Sequence, residues 1–122
     1  MYRLSVRFHF DAAHFLKHYE GKCANLHGHT WQVVLKIACE ALDDVGIAID
    51  FRTVKEAVKP ILDELDHKAL NELPYFDKLN PTAENISHKL TEALAKPIAD
   101  LGATLSEVEV WESLDCSASY VA

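Results

Sequence analysis

The segment Cys23-Ala24-Asn25-Leu26-His27-Gly28-His29 carries the densest chemistry in this sequence. In an extended chain the side chains of residues i and i+2 leave from one face, so His27 and His29 can bind one metal ion together. Gly28 between them carries no side chain and permits close approach. His14 can supply a third nitrogen if the strand it ends lies beside the strand carrying the pair. Three imidazoles leave one tetrahedral position open to water or substrate, which is the arrangement of catalytic rather than structural zinc. Other readings compete. His-Gly-His is also a polar start to a strand, and Cys23 as a fourth ligand would close the site into an inert structural zinc. His14 shares the parity of Phe8 and Phe10, as a packed core histidine would, and a bulge at Ala12-Ala13 would be needed to re-aim it.

Two further constellations stand apart in the chain. In Leu65-Asp66-His67 a carboxylate beside an imidazole can orient the ring and favour its protonated form. A histidine meeting a cysteine thiol would promote the thiolate and make it a base or nucleophile. The bland reading of Asp66 and His67 is a solvated helix end, where a histidine also meets the dipole favourably. In Val110-Trp111-Glu112-Ser113 the parity of Val108 and Val110 places Glu112 on an apolar face. A carboxylate there is costly unless paired. It could accept from the adjacent N–H groups of an amino-heterocycle, or pair with a lysine. Cys39 reads as core and Cys116 as a turn residue without a role.

The elements that must position these groups follow from periodicity. Tyr2 to Asp11 alternates, with Tyr2, Leu4, Val6, Phe8 and Phe10 on one face, so it predicts a half-buried strand. A second strand is expected from about Thr30 to Glu40, with Trp31, Val33, Leu35, Ile37 and Cys39 inward. Phe51, Val54, Val58, Ile61, Leu62 and Leu65 form the apolar stripe of a helix capped by Asp50, with a kink or loosened turn expected at Pro60. Thr82 can cap a second helix whose stripe runs from Ile86 to Leu101, with Gly102 as a stop and Pro97 disturbing its last turns. Strands near Leu105 to Ser113 and Ser117 to Val121 close the chain. The order β-β-α-α-β-β predicts an α+β fold: a four-stranded antiparallel sheet with two helices on one face. Nothing in the chain is left to cover the other face, so association with further copies is expected.

The bulk properties bound the function. With 122 residues the chain is expected to form a single domain, residues 1–122, and its 49% apolar and 25% charged content is ordinary for a soluble protein. The charge of −7 argues against a general nucleic-acid or membrane-surface binder. An anionic substrate would need local charge, from a metal ion or from Lys17, Lys22 and Arg52. Three cysteines, with an N-terminus that alternates instead of forming the apolar block of a signal peptide, argue for a cytoplasmic protein without a disulfide framework.

Taken together, the motifs resemble the 6-pyruvoyl-tetrahydropterin synthase superfamily, and within it the bacterial 6-carboxytetrahydropterin synthases of queuosine biosynthesis. Phe10-Asp11-Ala12-Ala13-His14 is similar to the family's first zinc motif, and Cys23 through His29 to its Cys-x3-His-Gly-His motif. Leu65-Asp66-His67 through Asn71, Pro81-Thr82-Ala83-Glu84-Asn85 and Trp111-Glu112-Ser113 follow in the family's order. The resemblance implies the tunnelling fold, in which copies join their sheets into a barrel as a trimer, commonly stacked as a hexamer, with active sites between subunits. It implies zinc on His14, His27 and His29, a catalytic thiol at Cys23, proton transfer assisted by Asp66 and His67 of a neighbouring subunit, and a pterin ring held by Glu112. The implied substrate is 7,8-dihydroneopterin triphosphate. The pyruvoyl-forming synthase shares these residues and is the rival branch; a non-catalytic zinc or pterin-binding module is a third reading. Retention of Cys23 speaks against archaeal-type members that lack the thiol.

Overall fold

A computed structural model describes all 122 residues. The first strand, β1 (Tyr2–His14), pairs antiparallel with β2 (His27–Cys39) in unbroken register, from Tyr2 opposite Cys39 to His14 opposite His27. No bulge interrupts Ala12-Ala13, so His14 is not re-aimed; β1 keeps its alternation through His14, three residues beyond the predicted end. After β2 comes helix α1 (Phe51–Asp63), then a two-residue strand β3 (Lys68–Ala69), helix α2 (Ala83–Ala99), and strands β4 (Thr104–Trp111) and β5 (Ser117–Val121).

The sheet order is β3-β1-β2-β4-β5. Because β3 runs parallel to β1, pairing Lys68 with Ala12 and Ala69 with Ala13, the expected four-stranded antiparallel sheet is instead five-stranded and mixed. A strand of two residues leaves no alternation to read, which is why periodicity does not find it. A turn through His67, at φ 58, lays it along β1.

Both helices pack on one face of the sheet. Phe10, Trp31, Val33, Leu35 and Ile37 are fully buried beneath them with Val54, Val58, Ile86, Leu94 and Ile98, and the Phe10 and Trp31 rings lie stacked 6.0 Å apart. Asp50 and Thr82 cap the helices as expected, accepting from Arg52 N at 2.8 Å and Asn85 N at 3.1 Å. Both helices run without a break through their prolines, Pro60 and Pro97. In α1 the burial of Val54, Val58 and Leu62, at roughly 1.5–3 kcal/mol each, outweighs the ~3 kcal/mol that an interior proline costs. In β4 a register shift opposite Lys36 and Ile37 skips Ser106, whose hydroxyl donates to Lys36 O at 2.9 Å. That extra residue lets both Leu105 and Val108 reach the core.

The opposite face of the sheet carries Arg7, His9, Gln32, Lys36 and Glu109, with Lys36 and Glu109 paired at 3.7 Å, and no element of the chain covers it. No helix is long and apolar enough to cross a membrane.

Candidate active site

The β1–β2 register gathers the three histidines. His14 stands opposite His27, and His29 opposite Ala12, so all three side chains leave the helix-covered face at one end of the sheet. Their ring centroids are 4.6, 5.1 and 4.8 Å apart. His14 is 2% exposed, and its Nδ1 donates to the carbonyl of Pro81 at 2.7 Å. A carbonyl only accepts, so this contact fixes the tautomer and leaves Nε2 as the lone-pair nitrogen. His27 is set the same way by Asn25 O at 2.6 Å. Trp31 packs edge-on against His14 and His29 and donates to Ala12 O at 3.2 Å, which walls the site from below.

Nε2 of His14 and Nε2 of His29 are buried without a hydrogen-bond partner. An unsatisfied buried polar atom costs about 1–3 kcal/mol, so two side by side call for a ligand. Glu112 Oε1 lies 3.2 Å from His29 Nε2 and 3.9 Å from His14 Nε2, close enough for attraction but not arranged as a hydrogen bond. One ligand-type atom from each of His14, His27, His29 and Glu112 falls within 4.8 Å of the others. This donor set fits zinc. Burial is the largest influence on His14 and lowers its pKa, against the Pro81 hydrogen bond and the Glu112 charge; burial likewise lowers that of His29. Both rings are therefore neutral near pH 7, the form that ligates.

Glu112 was expected on the apolar face of its strand, and it is there, because Trp111 pairs with Gln32 and the next residue reaches along β2 toward His29. Its entry into the histidine group was not legible, since sequence does not say that β4 neighbours β2. Cys23 occupies a 3-10 turn (Lys22–Ala24), half-buried, and lies outside the group; the atom completing the set belongs to Glu112.

Asp66 and His67 form a separate cluster. Asp66 Oδ1 accepts from Asp11 N at 2.9 Å, Asp66 Oδ2 lies 3.0 Å from His67 Nδ1, and His67 N donates back to Asp11 O at 2.6 Å. The Asp11 side chain, held by the Thr30 hydroxyl at 2.5 Å, completes this second group on the helix-free parity of β1. The hydrogen bond from Asp11 N is the largest influence on Asp66 and lowers its pKa, aided by His67. Within one chain the dyad does not meet the histidine–glutamate centre. An open groove of about 590 Å³ runs between them, lined by Asp11, Gly28, His29, Thr30 and His67 among others. A more enclosed pocket of about 350 Å³ between the helices, around Leu65, Phe76, Ile86 and Leu90, contains no histidine or cysteine. Lys17, Lys22 and Arg52 are not gathered: Arg52 pairs with its own cap Asp50 at 3.7 Å, and Lys17 reaches Asp77 O at 3.4 Å.

A sheet with both helices on one side, and converging imidazoles at the end of its two longest strands, belongs to a defined class. The family model described as 6-pyruvoyl tetrahydropterin synthase matches residues 3–122, and the chain belongs to that family. It is similar to a 6-carboxy-5,6,7,8-tetrahydropterin synthase of Synechocystis sp., 33% identical over 129 residues, covering 98% of this chain and 93% of the relative. It is also similar to a dihydroneopterin monophosphate aldolase of Pyrococcus furiosus, 36% identical over 110 residues, covering 90% of this chain and 89% of the relative. Among solved structures, the 6-pyruvoyl tetrahydropterin synthase of Caenorhabditis elegans superposes with a TM-score of 0.89 at 25% identity, covering 99% of this chain and 95% of its own.

Proposed function

We propose that this chain is a zinc-dependent 6-carboxy-5,6,7,8-tetrahydropterin synthase. It converts 7,8-dihydroneopterin triphosphate to 6-carboxytetrahydropterin, acetaldehyde and triphosphate, as a cytoplasmic lyase of queuosine biosynthesis. The observation that carries the reading is the pair of orphaned, buried Nε2 atoms of His14 and His29 converging with His27. Family membership and the relative in Synechocystis give the substrate class its support.

His14, His27 and His29 would hold the zinc. When bound, the ion supplies Lewis-acid polarisation of the substrate's side-chain oxygens, which makes protons on adjacent carbons removable. The remaining work falls to the chain. Pro81 and Asn25 keep His14 and His27 in the ligating tautomer. Cys23 is the thiol that takes and returns a proton. Asp66, held ionised by Asp11 N, keeps the proton of His67 on Nδ1, so Nε2 of that ring exchanges protons with substrate bound at a neighbouring subunit. Glu112, at the rim of the histidine group, accepts hydrogen bonds from the pterin ring. Because Asp66 and His67 do not meet the histidines within one chain, a homo-oligomer with sites between subunits, trimer or stacked hexamer, belongs to the same reading.

The aldolase relative in Pyrococcus furiosus and the pyruvoyl-forming structure define the competing products. Incubating zinc-loaded protein with 7,8-dihydroneopterin triphosphate and identifying products by mass separates them. The expected result is 6-carboxytetrahydropterin with acetaldehyde. A pyruvoyl product, or turnover of the monophosphate alone, reassigns the chain within its family. No turnover by an intact, zinc-loaded oligomer defeats the catalytic reading.

A further inference from the structure

The edge of β1 facing away from β2 pairs with backbone only over Asp11, Ala12 and Ala13, against His67 and the two residues of β3. Beyond that ladder, side chains take over. Phe15 N donates to Asn71 Oδ1 at 2.9 Å, and Phe15 O accepts from Asn71 Nδ2 at 3.0 Å. Two residues on, Lys17 N donates to Asn80 Oδ1 at 2.8 Å, and Lys17 O accepts from Asn80 Nδ2 at 2.9 Å. A carboxamide offers one acceptor and one donor side by side. Each asparagine therefore makes both bonds that a neighbouring strand residue would make. Phe15 and Lys17 both turn their backbone N–H and C=O to the asparagine side, although β1 ends at His14. Leu16, between them, turns its N–H the other way and donates to Cys23 O at 2.8 Å.

Asn80 is itself anchored. Its carbonyl accepts from Thr82 N and Asn85 Nδ2, both at 2.8 Å, in the turn that caps α2. The next carbonyl, that of Pro81, orients His14. One turn thus fixes a histidine of the metal group directly and the Cys23 segment through Lys17.

We propose that Asn71 and Asn80 are positioning residues for Cys23: by clamping Phe15 and Lys17 they hold Leu16 in register with the Cys23 carbonyl, and so fix the turn that carries the thiol relative to the strand that ends at His14. This rests on the reading of Cys23 as the reactive thiol. Proton transfer at carbon depends on placement, and a displacement of about 1 Å can cost on the order of a hundredfold in rate. Asn71, with both of its bonds part-buried, carries the larger share; the bonds of Asn80 are exposed to water.

The test uses zinc-loaded full-length Asn71→Ala and Asn80→Ala. Amide hydrogen exchange in the wild type is slowed at Phe15 and Lys17; Asn71→Ala loses protection at Phe15, and Asn80→Ala at Lys17. In Asn71→Ala, kcat per zinc-loaded subunit on dihydroneopterin triphosphate falls about tenfold to a hundredfold, with KM within about twofold of wild type. The iodoacetamide reaction rate of Cys23, relative to exposed Cys116, changes in parallel. Asn71→Asp, which preserves volume and the bond from Phe15 N but cannot donate to Phe15 O, shows a smaller loss of the same kind and serves if the alanine variant does not fold. Unprotected amides in the wild type, or lost protection with unchanged kcat and unchanged Cys23 reactivity, overturn the proposal. A fall in thermal midpoint alone, with kcat per loaded subunit intact, also overturns it. Full turnover by Cys23→Ser removes the thiol reading and the proposal with it. Lost turnover in Cys23→Ser beside unchanged asparagine variants removes the proposal alone.

Discussion

His14 is tied on one side and open on the other: Pro81 takes its Nδ1 proton while Nε2, buried, has no partner. Substituting it with alanine is expected to drop zinc content well below one ion per chain, measured by metal analysis after dialysis. Glu112 is the residue whose role the geometry sharpens. As the pterin anchor, Glu112→Ala keeps zinc but binds substrate about tenfold to a hundredfold more weakly, the worth of a charged hydrogen bond. Zinc lost from that variant makes Glu112 a ligand instead. Asp66 gives a pH signature. Its native pKa lies below its ordinary value of 3.8, so the ionised carboxylate adds stability above about pH 4, and that stability is lost as pH falls through the native pKa. Wild type should exceed Asp66→Asn in unfolding free energy at neutral pH, and the gap should narrow on acidification below about pH 4; a gap that does not narrow contradicts the assignment. The histidines were legible because a two-residue period places His27 and His29 together in any strand. The place of Glu112 depends on a strand neighbour that no local pattern names, and the asparagine clamps depend on partners more than fifty residues away for the same reason.

At the scale of elements, alternation and helical stripes located both long strands and both helices, and two caps were found from residue type alone. What escaped was what tertiary packing decides. The strand β3 exists because a left-handed His67 lays two residues along β1, and the helices stay continuous through the prolines read inside them because the buried stripe outweighs their cost. Replacing exposed Pro60 with alanine is therefore expected to stabilise the chain, by up to about 3 kcal/mol, as the missing hydrogen bond returns. Thr82→Ala is expected to cost about 1 kcal/mol through loss of the cap on Asn85 N. Chemical denaturation reads both. An unchanged midpoint in Pro60→Ala means the helix has already relaxed around the ring.

For the whole molecule, the proposed reading has further copies of the chain cover the bare sheet face with Arg7, His9, Gln32 and Lys36 and bring the Asp66–His67 pair to a neighbour's histidine group. Native mass measurement is expected to give a multiple of three chains of 13.7 kDa, and a monomer that turns over substrate contradicts sites shared between subunits. The central claim is narrower: three histidines hold the metal without help from Cys23, which is free to react. Cys23→Ala tests it in one preparation, by zinc content and turnover together. The account predicts zinc retained at about one ion per chain, with an intact fold and turnover abolished. Zinc released, or the chain unfolded, would make Cys23 a structural ligand and contradict it.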